Sequence, residues 1–234
     1  MRLAPTRRQA LAGLGAAVTA ICARSRAFAQ ERPALGYAIL WRDGEIGRHR
    51  VVFAADGSDL TVDVGIEVTV TVFGRQVYAM RHRSRELWRS GALVGFEGRT
   101  DDNGTVKTVR AAPVGDVLRI EGTEGSVDGP LDLLPASYWH PRMIARGLWL
   151  NGVDGTIDRS TVDRVGDERM QTAQGEVQAR HYRLQGDLDA EIWYAGALWS
   201  GLRLAGPAGT VIDYRLDTDA AGQDRVRSIV DPLA

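Results

Sequence analysis

Residues 86–93 have the sequence ELWRSGAL, and a closely similar stretch, EIWYAGAL, occupies residues 191–198. The offset between them is 105 positions (191 − 86), and the same offset relates the Gly-Thr-Val sequences at 104–106 and 209–211. When residues 86–106 are aligned with residues 191–211, eight positions are identical. A repeat that keeps its register across a strand and a turn predicts a duplicated β-meander.

The residues before the first copy predict long strands. From 62 to 72, valine and isoleucine alternate with polar residues or glycine, which is the period of a strand with one buried and one wet face. The next strand is predicted to place two sets of side chains on opposite faces. One set is large and partly polar: Tyr78, Met80, His82, Ser84, Glu86 and Trp88; the other is Arg81, Arg83, Arg85 and Arg89.

Many short strands separated by glycine-rich turns indicate an all-β fold. We expect an antiparallel meander sheet curled into an open or closed barrel, built from two similar halves at about 30–122 and 137–216. No long amphipathic helix is predicted, and the polar tail from Asp217 is predicted to lack regular structure.

The N-terminus has the features of a cleaved export signal. Basic residues precede a small, apolar segment, and an Ala-x-Ala sequence at 27–29 predicts cleavage after Ala29. Arg7 and Arg8 resemble the twin-arginine signal, although an ordinary secretion signal is the alternative. The expected location is the periplasm or the exterior, with residues 30–234 forming a single mature domain.

Composition limits the possible partners. Removing residues 1–29 takes away five arginines and no acid, so the mature charge is −1 − 5 = −6. A mildly acidic domain is a poor candidate for binding nucleic acid or an anionic membrane. Cys22, the one cysteine, lies in the signal, so no disulfide is expected in the mature domain. We expect a monomer without an integral membrane segment.

Several motifs resemble a known family. The twin-arginine-like signal, Glu86-Leu87-Trp88, Asn103-Gly104, Ser137-Tyr138-Trp139 and Ile192-Trp193-Tyr194 are similar to exported bacterial proteins of domain-of-unknown-function family 6134. The family often has Asp where Ala195 stands. The resemblance covers nearly the whole mature chain and implies no activity. A looser, fold-level similarity is to periplasmic half-barrels such as the lipoprotein carrier of the Lol system.

Two sets of residues are candidates for catalysis. If the halves face each other, Glu86 and Glu191 would meet across a cleft as the carboxylate pair of a glycoside hydrolase, with Trp88 and Trp193 as sugar platforms. The alternative is a repeated structural role. His82 and His140, together with Glu86, are candidates for acid–base chemistry.

No metal site or cofactor is predicted, because the histidines show no spacing typical of ligands. His49 and His181 stand beside arginines and are predicted to lie at the surface.

The aromatic side chains favour a different function. One concave face lined by large side chains with few polar groups suits an apolar or amphipathic ligand, although an ordinary filled core is the alternative. The residues predicted to line it are Tyr78, Met80, Trp88, Tyr138, Trp139 and Trp193. Three hypotheses follow: non-catalytic binding of a lipid-like or amphipathic molecule, an envelope enzyme using the candidates above, and a structural or assembly module.

Overall fold

The computed structural model describes residues 32–42, 44–206 and 209–233. The first eight strands run in sequence order through the sheet and pair antiparallel with their neighbours. They are β1 (Ala34–Trp41), β2 (Gly44–Asp56), β3 (Asp59–Val72), β4 (Arg75–Arg89), β5 (Ala92–Asp102), β6 (Thr105–Val114), β7 (Val117–Gly122) and β8 (Gly125–Pro130).

The remaining strands extend the sheet from the other side of β1, which pairs antiparallel with β15. They are β9 (Leu134–Pro135), β10 (Leu148–Leu150), β11 (Ile157–Thr172), β12 (Gly175–Gly186), β13 (Ala190–Ala195), β14 (Leu198–Ala205) and β15 (Val211–Leu216). Pairing is antiparallel except between β9 and β10. The sheet ends at β8 and β9, which do not pair with each other in the described residues, so the barrel is open.

One main core connects distant strands. Leu118 and Ile120 of β7 belong to the same buried cluster as Leu184 of β12, although these strands lie far apart in the sheet order. The sheet therefore curls so that one face encloses the core. Residues 133–150, which we call the inner segment, contribute to that core Leu133, Trp139, Met143, Trp149 and Leu150, all at most 2% exposed.

A second, smaller core covers part of the opposite face. Along β13, Ile192 and Tyr194 belong to the main core, whereas Trp193 and Ala195 form a separate cluster with Met170 and Val177 of the β11–β12 hairpin. Because successive strand residues point to opposite faces, this hairpin lies against the outside of the curled sheet. A register shift between Arg164 and Gly166 precedes the part of β11 that makes this contact.

The all-β prediction is confirmed, and so is its antiparallel meander. The division into two similar halves stays a prediction, as does the domain boundary at residue 29, which lies outside the described residues. The prediction for the tail is wrong. Residues Ala220–Val230 form a helix, α1, that begins where the Asp219 carboxylate accepts a hydrogen bond from the Gly222 backbone N–H at 2.7 Å. Val226 and Val230, four residues apart, pack into the main core.

Candidate binding cavity

The two faces of β4 are as predicted from the sequence. His82, Ser84, Glu86 and Trp88 are buried, Tyr78 and Met80 are half-buried, and the four arginines between them are exposed. The alternation follows from the two-residue period of a strand. This inner row runs from the half-buried end of β4 into the closed part of the core.

Glu86 lies at the closed end and is fully buried. Its Oε2 accepts hydrogen bonds from Trp88 Nε1 at 2.9 Å and from Trp139 Nε1 at 3.0 Å. Its Oε1 has no hydrogen-bond partner in the described residues. The Ser137 hydroxyl is close enough to favour the charged carboxylate, but it does not meet hydrogen-bond geometry with Glu86. The carboxyl group therefore joins β4 to the inner segment through the Trp139 indole, while the Trp88 indole bonds to it within β4.

Burial raises the pKa of Glu86 to about 7, against its ordinary value of 4.5. The Ser137 hydroxyl and the two indole N–H groups act in the opposite direction, because they stabilise the carboxylate. Near neutral pH the group is therefore divided between its neutral and charged forms. Such a pKa is typical of a carboxyl that has lost its hydration and gained no cation in return.

His140 follows Trp139 and lies against both indoles. Its ring centroid is 5.0 Å from those of Trp88 and Trp139, and its Nδ1 accepts a hydrogen bond from the Arg142 backbone N–H at 3.2 Å. Burial, with a smaller effect from the Arg142 charge, lowers the pKa of His140 to about 3. The imidazole is therefore neutral and caps the short 3-10 helix at Pro141–Ala145.

A partly open cavity of about 270 Å³ lies between the inner row of β4 and the inner segment, and it is lined by Ser84 and Ser137 but not by Glu86 or His140. One part of its lining is apolar and includes Val64, Ile66, Met80, Phe96 and Leu188. The other part is polar and comes from four strands, the inner segment and two loop positions: His49, His82, Ser84, Ser137, Tyr138, Asn151, Asp158, Asp187 and Tyr214. The cavity is thus amphipathic.

Two neutral histidines form its buried polar end. Both ring nitrogens of His49, which is 1% exposed, lack a hydrogen-bond partner in the described residues. The His82 Nδ1 is 2.8 Å from the Thr100 hydroxyl. Burial is the main cause that lowers the pKa of His49 to about 3 and the pKa of His82 to about 4. Each ring therefore carries one N–H donor and one acceptor nitrogen at neutral pH.

Carboxylates lie at the more exposed end of the lining. Asp187 is exposed and Asp158 is half-buried. The Asn151 side-chain amide donates to Asp158 at 3.2 Å, whereas burial raises the pKa of Asp158. The cavity thus has neutral imidazoles inside and acidic groups near its opening.

Comparison with known families identifies the chain. A family model, described as a domain of unknown function, DUF6134, matches residues 37–217. This chain belongs to the DUF6134 family. No curated protein matches it.

The fold of this DUF6134 chain is similar to that of a β-barrel-like protein of domain of unknown function DUF1849 from Brucella abortus. The TM-score is 0.57 at 9% identity, with 79% of this chain and 95% of that chain covered. A DUF1089 family protein from Pseudomonas aeruginosa gives a TM-score of 0.30 at 16% identity, covering 75% of this chain and 92% of that chain. The first likeness supports the β-barrel-like fold.

The DUF6134 structure does not bring Glu86 and Glu191 together, so the expected meeting of two carboxylates across a cleft is wrong. Glu86 points into the main core, whereas Glu191 lies on the opposite face beside Trp193. The Glu191 carboxylate is 3.2 Å from Arg183 Nη2 and 3.6 Å from Arg203 Nη1. Trp193 stacks on His181 with centroids 4.5 Å apart and therefore does not line the cavity.

The other predicted ligand-binding residues divide into two groups. Met80 and Tyr138 line the cavity. Trp88 and Trp139 instead fill the core around Glu86, and Tyr78 packs against that core. His82 and Glu86 share the inner row without a hydrogen bond between them in the described residues. Their catalytic role stays a prediction.

His49 and His181 are the residues that the sequence interpretation placed wrongly. Both are buried, at 1% and 6% exposure. The arginines on either side of His49 are adjacent in sequence and therefore point to the opposite face of β2. The two-residue period that joins His49 to Val51 and Phe53, both buried, is the signal that places it inside.

No group of three or more His, Cys, Asp or Glu side chains suited to a metal occurs in the described part of the chain. Within those same ranges, no helix has the length and apolar character needed to cross a membrane.

Proposed function

We propose that this DUF6134 protein is exported and binds a small amphipathic molecule, without catalysis, in the cavity lined by His49 and His82. Export is supported by the sequence of residues 1–29, which lies outside the described part of the chain. The ligand is a single small molecule or one chain of a lipid.

The observation that most supports the proposal is the lack of hydrogen-bond partners for the buried His49 ring. A buried polar group without a hydrogen bond costs about 1–3 kcal/mol, and both ring nitrogens of His49 are in this state at the wall of a cavity. A ligand with a hydroxyl or amide group can hydrogen-bond to this imidazole while its apolar part contacts Ile66, Met80 and Phe96. Such a ligand would use both parts of the lining at once.

Size and charge narrow the ligand class. A volume of about 270 Å³ is near the lower end of ligand pockets and is too small for a two-chain phospholipid. Asp158 and Asp187 place negative charge near the opening, which disfavours a free fatty acid. We infer that the ligand is neutral or positively charged.

A fluorescence titration with N-phenyl-1-naphthylamine, a small uncharged apolar probe, tests this proposal. Ala136 lines the cavity, so Ala136→Leu fills part of it, whereas Ala112→Leu adds the same atoms at an exposed position of β6. Wild type and Ala112→Leu should enhance the probe's emission, and Ala136→Leu should weaken probe binding at least about fivefold. Equal binding by all three proteins, or none by the wild type, would contradict the proposal.

A further inference from the structure

The outer face of strands β2 to β7 carries many arginines, and most of them are neutralised locally. Exposed arginines pair with carboxylates on neighbouring strands: Arg81 with Glu67 at 3.2 Å, Arg85 with Asp63 at 2.7 Å, Arg89 with Asp59 at 3.0 Å and Arg119 with Asp128 at 2.6 Å. Ion pairs of this kind are the ordinary state of an exposed sheet face.

Three arginines on this face depart from that rule. The guanidinium groups of Arg50 and Arg99 make no ion pair or hydrogen bond with any other described residue. Arg83 has one contact, at 3.6 Å, with Glu67, which also pairs with Arg81. All three are exposed.

These three residues form one line across four strands, which we call the arginine row. Arg50 of β2 lies opposite Gly65 of β3, Gly65 lies opposite Arg83 of β4, and Arg83 lies opposite Arg99 of β5. Like charges directly opposite each other in a sheet are destabilising, so Arg83 and Arg99 repel each other unless an anion lies between them.

The row borders a wide, open concavity of about 950 Å³ on the outer face. Gly65 lies in its floor, and open space surrounds the position that a Cβ would occupy there. The missing side chain leaves room between Arg50 and Arg83. Arg85 and Arg110 also line the concavity, as do the carboxylates of Asp63, Glu97 and Glu121. Five arginines and three carboxylates therefore border it, and its lining has a net charge of +2 (5 − 3).

We propose that the arginine row binds an anion carrying two or more phosphate groups. The guanidinium fork matches phosphate oxygens in a bidentate way, and its charge is permanent. Neighbouring strands are about 4.8 Å apart, so the row spans roughly 14 Å from Arg50 to Arg99. One phosphate group is too small to contact the whole row, whereas two linked phosphates carry enough oxygens to bridge Arg83 and Arg99 and to be reached by the long Arg50 side chain. The site is on the opposite sheet face from the inner cavity and is independent of it.

Calorimetric titration of the purified protein with inorganic pyrophosphate at low ionic strength tests the row. The combined substitutions Arg50→Gln, Arg83→Gln and Arg99→Gln should weaken binding at least about tenfold, because charge-assisted hydrogen bonds are lost. The matched control, Arg81→Gln with Arg89→Gln and Arg119→Gln, removes the same charge from paired arginines outside the concavity. It should bind within about threefold of wild type.

Sedimentation with phosphatidylcholine vesicles, with or without phosphatidic acid, distinguishes a membrane source of phosphate from a soluble one. The proposal is supported if the wild type binds pyrophosphate or the acidic vesicles and the row substitutions abolish that binding. Binding to pyrophosphate indicates a soluble ligand, and binding to the vesicles indicates a lipid headgroup. If the wild type binds neither, or if both triple variants lose binding equally, the proposal is overturned. Circular dichroism of each variant shows that a loss of binding is not a loss of fold.

Discussion

Trp139 Nε1 donates a hydrogen bond to Glu86 Oε2 across 3.0 Å, and this contact joins the inner segment to β4 inside the curled sheet. The two residues are 53 positions apart in the chain. Phe53 and Trp88 pack edge-on against the same indole, each with a centroid separation of 5.4 Å. The interaction therefore fixes the part of the inner segment that directly follows the cavity-wall residues 135–138, so the protonation state of Glu86 should affect the stability of the fold.

The pH dependence of stability should change in Glu86→Gln. The pKa of Glu86 is raised from 4.5 to about 7 in the folded protein, so its contribution is fully present below pH 4.5 and is lost as the pH rises through 7. The loss is about 3 kcal/mol in the free energy of unfolding. Glutamine stays neutral and still accepts the indole N–H groups, and the other titrating groups are common to both proteins. The free energy of unfolding of the wild type minus that of the variant should therefore fall by this amount as the pH rises from 4.5 to 8.5. Urea unfolding between pH 4.5 and 8.5 measures it.

Glu191→Gln is the matched control for that experiment. It makes the same chemical change at the corresponding position of the repeat, where the carboxylate is paired with Arg183 and Arg203 on the outer face. Its pH profile should keep the slope of the wild type. If Glu191→Gln changes the pH dependence of the free energy of unfolding as much as Glu86→Gln does, burial of Glu86 is not the cause of the effect.

Acid should destabilise Glu86→Gln through the histidines. The pKa values of His49, His82 and His140 are lowered from 6.5 to about 3, 4 and 3, so their contribution is present above pH 6.5 and is lost as the pH falls below it. Removing Glu86 takes away one group that opposes this decline, because its pKa is raised in the folded protein. Unfolding should become easier steadily from pH 6.5 to 4.5, and a flat profile would contradict buried neutral imidazoles.

Trp139→Phe should cost about 2–4 kcal/mol, because it removes a hydrogen bond to a buried carboxyl group and leaves a cavity. Trp41→Phe deletes the same atoms at a half-buried position, where the indole N–H bonds to the Thr210 hydroxyl at 2.8 Å. We expect a cost of about 1 kcal/mol there. Chemical denaturation gives the free energy of unfolding of both variants. Equal losses would show that the Trp139 contact with Glu86 contributes no more to stability than the half-buried contact of Trp41.

Phe73→Asn should stabilise the protein. Phe73 is fully exposed and has φ of 48°, next to Gly74 with φ of 75°, in the two-residue turn between β3 and β4. Asn tolerates this backbone region and a bulky aromatic does not, so we expect a gain of about 1 kcal/mol. The β5–β6 turn offers the reverse test, since Asn103→Phe at φ of 51° should destabilise by a similar amount. Thermal unfolding measures both.

Export should depend on the arginine pair. Arg7→Lys combined with Arg8→Lys should leave the precursor inside the cell, because a twin-arginine signal requires the pair. Arg24→Lys with Arg26→Lys keeps the charge near the cleavage site and should be exported normally. Fractionation and immunoblotting separate the precursor from the mature form. Unimpaired export of the first variant would assign the signal to the general secretion route.

The sequence was sufficient for the fold class and for the two faces of β4, because both depend on a local two-residue period. The repeat was less informative about the site. Glu86 and Glu191 occupy equivalent positions of the repeat, yet β4 directs Glu86 to the inner face and β13 directs Glu191 to the outer face. A one-residue difference in how a strand is placed in the sheet is enough to exchange its two faces. Whether a second layer covers such a face depends on distant segments, here the β11–β12 hairpin over Trp193. No local pattern contains that information.

The histidines show the same limit. His49 lies between two arginines, and their charge predicted a surface position, whereas its strand phase placed it with Val51 and Phe53. Its partners in the cavity wall, Tyr138 and Tyr214, come from the inner segment and from β15. Helix α1 was missed because its sequence is polar, with only Val226 and Val230 fully buried among its large apolar residues.

Native mass spectrometry of the mature protein, purified from the periplasm without detergent, tests the central claim most directly. We predict a stoichiometric added mass that is lost on denaturation, that corresponds to a small neutral or cationic amphipathic molecule, and that is reduced in Ala136→Leu. A bare polypeptide mass for the wild type under these conditions, or an added mass that Ala136→Leu retains in full, would contradict ligand binding in the inner cavity.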